Sequence, residues 1–344
     1  MKILVLGYFG YVTNQIDGQT IKTRDIYTLL RQNCREDVDF FDTQSFKKSK
    51  FGLFKMLFMI FRSDVLFYLP AQNNLKYIFP IVYLLSKLCN TKINYLVVGG
   101  WLFNFLENKP IHRYMLSKIN GIYTETENLY VSLKRYGFVN LFKLHNFRVI
   151  NTEMVEVENQ CNKKLKLVFM ARVHPLKGVD LIFKLDEEIR KKSIDIQIDV
   201  YGPIFQEYKE EFFNKVNSAS VEYKGVLDPI DVYKTLTQYN LMLFPTKYYT
   251  EGFPGTILDS YIAGVPVIAT NWLNAKEFVD DGETGYITDF YDESLFIEKV
   301  VQLIDNPEEL YNLRKNVKIK RYEYSAEKAW KILKNSLYGT GNEY

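Results

Sequence analysis

Short apolar runs rich in β-branched residues alternate with longer amphipathic segments along most of the chain, and this alternation restricts the fold more than any other feature. Such a pattern is typical of β-α units that build parallel sheets. In the first part of the chain we predict strands near 3–6, 38–41, 65–68, 93–98 and 122–124. Helices are expected between them, over about 19–32, 51–61, 76–87, 111–118 and 127–136.

A polar, acidic stretch over 151–164 interrupts the alternation, and a second series follows with strands expected at 165–171, 196–201, 241–244 and 265–269. The 344 residues are about twice the size of a usual domain. We therefore predict an N-terminal domain over 1–150, a linker over 151–164, a C-terminal domain over 165–324, and a last helix over 325–344 that packs back towards the N-terminal domain. Ligands of such sheets bind beyond the carboxyl ends of the strands, so the site is expected between the domains.

Composition excludes several classes of protein. The chain is 47% hydrophobic and 25% charged, which excludes collagen-like and disordered chains. Cys34, Cys89 and Cys161 are far apart and form no metal-binding pair, so a reducing cytoplasm is the expected compartment. The first apolar run is too short for a signal peptide, and no apolar stretch is long enough to span a membrane.

The charge is unevenly distributed along the chain. Residues 1–150 hold 20 Lys and Arg against 10 Asp and Glu, and the remainder holds 24 against 31. A basic half predicts an anionic partner, either nucleic acid or a phospholipid surface, although a chance surplus on a solvated surface is the alternative. The segment 47–62 either lies on a membrane or packs on the first sheet with its basic ends exposed; its cations are Lys47, Lys48, Lys50, Lys55 and Arg62.

The most informative motif runs from residue 244 to residue 270 and predicts a strand, a loop, a helix and a second strand. Pro254 and Gly255 are expected to begin the helix. The free amides of Gly255 and Thr256, with the positive end of the helix dipole, would form an anion site suited to a diphosphate. Asp259, one turn inside, and Glu251, on the loop, can accept hydrogen bonds from ribose and sugar hydroxyls.

This motif resembles the donor site of glycosyltransferase family 4, retaining enzymes of the GT-B fold, and the resemblance runs nearly end to end. The family's Glu-x7-Glu stands here as Glu251-x7-Asp259, with the second acid one methylene shorter. The resemblance implies an α/β protein with two Rossmann-like doubly wound domains facing across a cleft. It also implies donor-binding roles for Gly252, Phe253, Pro254, Gly255, Thr256 and Asp259.

A second match is the strand that ends before Arg172 and the loop that carries Lys177. The resemblance implies that these two cations neutralise the donor diphosphate as it departs. Together with Glu251 they are the expected catalytic residues, and no side chain is predicted as nucleophile or base. Gly202, after the next strand, is expected to lie near the nucleotide.

The first domain carries weaker matches. Gly18 resembles the family's first loop, which approaches donor phosphate, and Asp17 is expected on the acceptor side unless it only caps the helix. Gly99, Gly100 and Trp101 stand where some members place a histidine near the reacting sugar, so they too are acceptor-side candidates and no catalytic histidine is assigned.

The resemblance therefore implies a retaining hexosyltransferase that uses a nucleotide diphosphate sugar, with UDP as the expected nucleotide, and neither a cofactor nor a metal. The expected acceptor is a lipid-linked or growing glycan of a capsular, exo- or O-antigen polysaccharide. The enzyme is expected in the cytoplasm, with peripheral contact to the membrane. The alternative is a non-catalytic, nucleotide-sugar-binding partner subunit. An NAD oxidoreductase is disfavoured because no Gly-x-Gly-x-x-Gly follows the first strand, and no nucleic-acid signature is present.

Overall fold

Two parallel sheets, each of six strands, form the framework of the residues described by the computed structural model, which are 1–15, 17–47, 51–150 and 164–339. Residues 1–150 and 324–344 form one compact unit, here called unit 1, and residues 151–323 form unit 2. The predicted α/β class with two doubly wound sheets is confirmed. The predicted linker lies, apart from its last residue, outside the described residues.

Unit 1 has the strand order β2-β1-β3-β4-β5-β6. Its strands are β1 (Lys2–Gly7), β2 (Asp37–Asp42), β3 (Val65–Leu69), β4 (Lys92–Leu96), β5 (Gly121–Thr124) and β6 (Leu141–Lys143). Its first helices are α1 (Gly18–Asn33), α2 (Phe51–Phe61), α3 (Gln72–Tyr77), α4 (Phe79–Cys89), α5 (Leu102–Leu106), α6 (Pro110–Ser117) and α7 (Glu127–Lys134). Strand β3 is buried at every position, as expected for a central parallel strand covered on both faces.

The single helix predicted over 76–87 is wrong, because the chain forms α3 and α4 with a break at Ile78. Pro80 lies in the first turn of α4, where the missing N–H costs no hydrogen bond. In a continuous helix the same proline would remove a hydrogen bond and clash with the preceding turn.

Unit 2 has the strand order β12-β11-β10-β7-β8-β9. Its strands are β7 (Leu165–Met170), β8 (Ile196–Tyr201), β9 (Glu222–Gly225), β10 (Leu241–Phe244), β11 (Val267–Thr270) and β12 (Gly285–Thr288). Its helices are α8 (Val179–Lys191), α9 (Lys209–Ser218), α10 (Val232–Leu236), α11 (Gly255–Ile262), α12 (Ala275–Phe278), α13 (Glu293–Ile304) and α14 (Pro307–Lys320). Counted within the unit, this is the 3-2-1-4-5-6 order of dinucleotide-binding sheets, and the order reverses between β7 and β10.

Helix α15 (Ala326–Tyr338) belongs to unit 1 although it follows unit 2 in the sequence. Its buried residues Ala329 and Leu333 share one apolar cluster with Ile3 of β1 and Ile26 of α1. The opposite face of the same sheet packs against α2, α4 and α6. Unit 1 therefore has a helical layer on each face of its sheet.

Within the part of the chain that the structure describes, every helix is too short or too polar to cross a lipid bilayer.

Candidate functional site

Two loops of unit 2 meet at the point where its strand order reverses. One loop follows β7 and carries Arg172 and Lys177, and the other follows β10 and carries Glu251. Parallel sheets bind ligands in the crevice beyond the carboxyl ends of the strands at such a point. The predicted catalytic residues therefore lie at the edge of unit 2 where a ligand is most expected.

Lys177 and Glu251 form an ion pair between these loops. The Lys177 ammonium also lies 5.9 Å from the centre of the Tyr248 ring. The side chains keep 26% and 13% of their surfaces exposed, so the pair is accessible from one side. An anionic ligand can reach the ammonium without unfolding the loops.

The local backbone holds Lys177 in place. A short 3₁₀ turn over Pro175–Lys177 is capped by His174, whose Nδ1 accepts a hydrogen bond of 3.0 Å from the amide of Leu176. Gly178 follows with φ +76°, and a Cβ there would lie 1.7 Å from the carbonyl oxygen of Pro245. Only glycine permits this approach of the two loops.

The Glu251 backbone is held by a residue that the sequence did not single out. The Asn274 side-chain amide donates a hydrogen bond of 2.6 Å to the Glu251 carbonyl oxygen. Asn274 is buried, and its Oδ1 has no hydrogen-bond partner among the described residues. Asn274 lies in the loop after β11, which is a third strand that ends at the same edge of the sheet. This position after a predicted strand is the feature of the sequence that could have identified it.

Helix α11 presents its N-terminus to the same edge. Pro254 stands at the N-cap in an extended conformation, and no side chain caps the helix. The Thr256 hydroxyl donates 2.8 Å to the carbonyl oxygen of Met170, which fixes the helix start against the end of β7. The amides of Gly255 and Thr256 have no hydrogen-bond partner among the described residues, as an anion site requires.

Asp259 is buried one turn inside α11. The Tyr233 hydroxyl on α10 donates 3.2 Å to Asp259 Oδ1. Tyr233 is a second contact that the sequence analysis did not anticipate, since α10 has only five residues and a weak helical pattern. It orients the second carboxylate of the motif.

The remaining predicted residues of unit 2 shape or flank the loops. Arg172 is exposed directly after β7 and forms no ion pair with another described residue. Gly202 has φ +133°, and a Cβ there would lie 1.9 Å from the carbonyl oxygen of Ala171, so its role in the structure is close packing beside Arg172. Phe253 is buried and stacks on Phe278 with ring centres 4.0 Å apart, next to the half-buried Gly252.

In unit 1, Asp17 caps helix α1. Its Oδ1 accepts 2.9 Å from the Thr20 amide, and its own amide donates 2.9 Å to the Thr20 hydroxyl, which is a reciprocal capping box. Gly18 is exposed, and a Cβ there would meet nothing within 4 Å. Asp17 therefore caps the helix, which was the alternative to an acceptor-side role. Close packing does not explain why residue 18 is a glycine.

Gly99 and Gly100 follow β4 and are half-buried, as is Trp101, whose ring lies edge-on to Phe105. The Gly99 amide donates 3.3 Å to Glu125 Oε2. Glu125 Oε1 in turn lies 2.5 Å from the Lys22 ammonium, in a pair that is almost wholly buried.

The buried pair of Lys22 and Glu125 was absent from the sequence analysis. Lys22 shares one face of α1 with the buried residues Ile26 and Leu29, so the helical periodicity of the sequence could have predicted that Lys22 is buried. Its partner stands 103 residues further along the chain. No local pattern connects positions so distant, although Glu125 directly follows a strand.

Metal binding has no candidate site within the described ranges, where no group of three or more His, Cys, Asp or Glu side chains could hold an ion. Asp37 and Asp39 lie in strand β2 and not on a loop at the end of a strand. Metal independence stays a prediction.

Comparison with known proteins matches residues 151–320 to the family described as glycosyl transferases group 1. The capsular polysaccharide biosynthesis glycosyltransferase CapM of Staphylococcus aureus is 28% identical over 220 residues, covering 61% of this chain and 55% of that protein. The poly(ribitol-phosphate) alpha-N-acetylglucosaminyltransferase of S. aureus strain COL is 24% identical, covering 55% of this chain and 38% of that protein. The chain thus spans about half or less of the length of these curated relatives.

Among solved structures, Anabaena HepE in complex with UDP superimposes with a TM-score of 0.75 at 14% identity, covering 98% of this chain and 99% of that one. The same Anabaena protein is also known in complex with UDP-glucose. This likeness extends over both units and confirms the GT-B fold.

Proposed function

We propose, from the premise that residues 151–320 belong to glycosyl transferases group 1, that this chain transfers a hexose from a nucleotide diphosphate sugar to a glycan in surface polysaccharide synthesis. The observation that carries the proposal is the accessible Lys177–Glu251 pair beside the uncapped start of α11, at the reversal point of the unit 2 sheet. The matched region contains all of these residues.

The donor is proposed to be a UDP-sugar. Its diphosphate would be bound by Lys177, Arg172 and the free amides of Gly255 and Thr256, because cations and a helix N-terminus together compensate two phosphate charges. Asp259 would accept hydrogen bonds from the ribose, and Glu251 from the sugar. UDP and UDP-glucose complexes of the Anabaena protein support the choice of nucleotide.

The reaction is proposed to retain the anomeric configuration. The bond between the sugar carbon and the diphosphate oxygen breaks as the acceptor oxygen bonds to the same face of that carbon, and the acceptor proton passes to the departing phosphate. Lys177, Arg172 and the α11 amides would stabilise the charge that develops on the phosphate. These groups supply the stabilisation that a bound metal would otherwise provide, so the proposal includes no metal and no cofactor.

The acceptor is proposed to be a growing or lipid-linked glycan, bound on the cytoplasmic side by unit 1. Trp101 offers a half-buried ring of the kind on which sugars stack, and Gly99 and Gly100 leave backbone accessible beside it. Asp17 stands at the N-terminal end of α1 and is proposed to contribute to the acceptor side. Gly18 beside it would leave room for donor phosphate.

Calorimetric titration with UDP, GDP, ADP and NAD tests the donor assignment. We expect selective binding of UDP by the wild type and at least tenfold weaker binding by Arg172→Ala, because one charge-assisted contact with the diphosphate is lost. Lys192→Ala, which removes an exposed lysine elsewhere in unit 2, is the matched control. Preference for GDP would change the sugar, whereas preference for NAD or no binding would refute the proposal.

Turnover of UDP-sugars, followed by NMR of the product, tests the reaction. An α-linked product from an α-linked donor is expected. A β-linked product would contradict retention, and UDP binding without turnover on any glycan acceptor would favour the partner-subunit alternative.

A further inference from the structure

Helix α2 of unit 1 exposes most of its apolar surface. Met56 and Ile60 alone are fully buried, whereas the phenylalanines on the opposite side of the helix are 58% to 80% exposed: Phe51, Phe54, Phe58 and Phe61. Their spacing of three, four and three residues forms one continuous stripe. The neighbouring helix α4 adds Leu84 and Leu88, which are also largely exposed. We call these six side chains the α2–α4 face.

The sequence segment that contains the α2–α4 face is rich in cations and almost free of acids. Between residues 43 and 106 the sequence holds eight Lys or Arg and a single acid, Asp64. Lys55, Arg62 and Lys87 are exposed on or beside the two helices. The Arg62 guanidinium lies 5.5 Å from the Phe58 ring centre, so basic and aromatic groups are interleaved. Most of the basic surplus of the first 150 residues therefore falls in the sequence segment that contains this apolar surface, and two of its lysines, Lys48 and Lys50, lie outside the described residues.

A polar cavity of about 230 Å³ borders the end of α4 next to Leu88. Its lining includes Lys87, Lys92 and Lys118 and no carboxylate. The Lys87 ammonium donates 3.1 Å to the carbonyl oxygen of Lys118, which fixes this ammonium beside the Lys118 backbone. Three lysines around one small cavity suit a phosphate group.

We propose that the α2–α4 face docks on an anionic lipid bilayer, with its apolar side chains in the interfacial layer and the cavity lysines on headgroup phosphates. An apolar stripe flanked by Lys and Arg is the pattern of helices that lie in the plane of a membrane. The inference stands on unit 1 alone and does not depend on the donor site.

Charge argues against a second copy of this chain as the occupant. A second copy related by a twofold axis would bring the same cations opposite one another, which opposes association. An anionic bilayer satisfies both features of the face, because it accepts apolar side chains and neutralises lysines.

Co-sedimentation of the whole protein with lipid vesicles tests the proposal. We expect binding to vesicles of about one third phosphatidylglycerol in phosphatidylcholine, and at least tenfold weaker binding to pure phosphatidylcholine. Raising the salt from about 0.1 M to about 1 M should weaken the binding to anionic vesicles, since the lysine contribution is screened. Equal binding to both vesicle types, or to neither, would overturn the proposal.

Two pairs of variants locate the surface. Phe54→Ser with Phe58→Ser, and separately Lys87→Glu with Lys92→Glu, should each lower vesicle binding about tenfold or more. The controls carry equivalent changes in unit 2, namely Ile230→Ser with Tyr291→Ser and Lys192→Glu with Lys234→Glu, at residues that are likewise exposed. Controls that weaken binding as much would refute the assignment to this face.

Sedimentation velocity without lipid tests the alternative occupant of the face, a second copy of this chain. A dimer that dissociates when Phe54 and Phe58 are changed would assign the face to a second copy and overturn the proposal. An active enzyme that binds no vesicles would also refute it, whereas a vesicle-binding protein without transferase activity would leave it intact and refute only the proposed function.

Discussion

Each unit carries a Lys–Glu ion pair at the carboxyl edge of its sheet, and the two pairs differ in burial. The Lys22 and Glu125 side chains of unit 1 are 2% and 6% exposed, whereas those of Lys177 and Glu251 in unit 2 are 26% and 13% exposed. The chemistry of the groups is the same. The difference lies in whether water, and hence a ligand, can reach them.

Burial decides what each pair can do. Glu125 is committed on both oxygens, to Lys22 and to the Gly99 amide, and Lys22 also donates 2.9 Å to the carbonyl oxygen of Val97. Breaking these contacts would leave a charge without solvent or partner. The pair therefore fixes the loop that carries Gly99, whereas Lys177 remains accessible to a ligand, as its proposed role in phosphate binding requires.

The largest expected effect is on the stability of unit 1. Lys22→Met should lower the free energy of unfolding by about 3–5 kcal/mol, because Glu125 is left buried without a counter-charge. Hydrogen exchange followed by mass spectrometry should show lost protection in unit 1 and little change in unit 2. The double variant Lys22→Met with Glu125→Leu should recover most of the loss, and a single variant as stable as the wild type would contradict the comparison.

The accessible pair should show the reverse behaviour. Lys177→Met should lower kcat/KM about a hundredfold, since one preorganised charge that is proposed to face the leaving group is removed. The melting temperature should change little, because partly exposed pairs contribute about 0–1 kcal/mol. Lys191→Met, which removes an exposed lysine at the C-terminal end of α8 that pairs with Glu187 and Glu188, is the control and should keep wild-type activity. A large loss of stability in Lys177→Met would make this pair structural as well.

Glycines extend the comparison between the units. Gly178→Ala should destabilise unit 2 by about 1–3 kcal/mol, because its φ is +76° and the added Cβ meets the carbonyl oxygen of Pro245. Gly18→Ala in unit 1 should change stability by less than about 0.5 kcal/mol, since nothing lies within 4 Å of the added carbon. Chemical denaturation measures both. If Gly18→Ala nevertheless weakens UDP binding, that result would support the donor role proposed for Gly18.

Local sequence patterns predicted the long apolar strands of both sheets. They did not predict the short strands, whose formation depends on pairing with neighbouring strands. The buried strands β3 and β10 are continuous apolar runs, β1 and β7 are apolar except for Lys2 and Lys166, and all four were predicted to within one residue at each end. The short strands β6, β9 and β12 were missed, because three or four partly exposed residues carry no reliable period.

The same limit applies to the site. Lys177 and Glu251 were both expected at the donor site because the resemblance implies catalytic roles for both, and the structure joins them in an ion pair. Tyr233 and Asn274 each reach the site through one hydrogen bond from an element whose sequence marks it only as a short helix or loop. Contacts of this kind depend on how elements pack, which no local pattern specifies.

The last prediction concerns how the stability contributed by Glu293, in unit 2, depends on pH and salt. Hydrogen bonds from Lys184 and Lys247 lower the pKa of the Glu293 carboxyl. A carboxyl whose pKa falls on folding adds stability above its unfolded pKa and loses it as the pH falls through the folded pKa. Glu293→Gln should therefore cost about 0.2–1 kcal/mol at neutral pH, and this cost should shrink as the pH falls below about 4.3, the usual pKa of an unfolded Glu, as measured by urea unfolding.

Salt separates this surface interaction from the buried pair. About 1 M NaCl should also remove the difference between Glu293→Gln and wild type, because the partly exposed carboxylate is screened. The cost of Lys22→Met should persist in the same salt, since ions do not reach a pair that is 2% and 6% exposed. Equal salt sensitivity of the two variants would mean that burial does not distinguish the units, and the structural role assigned to Lys22 and Glu125 would then be wrong.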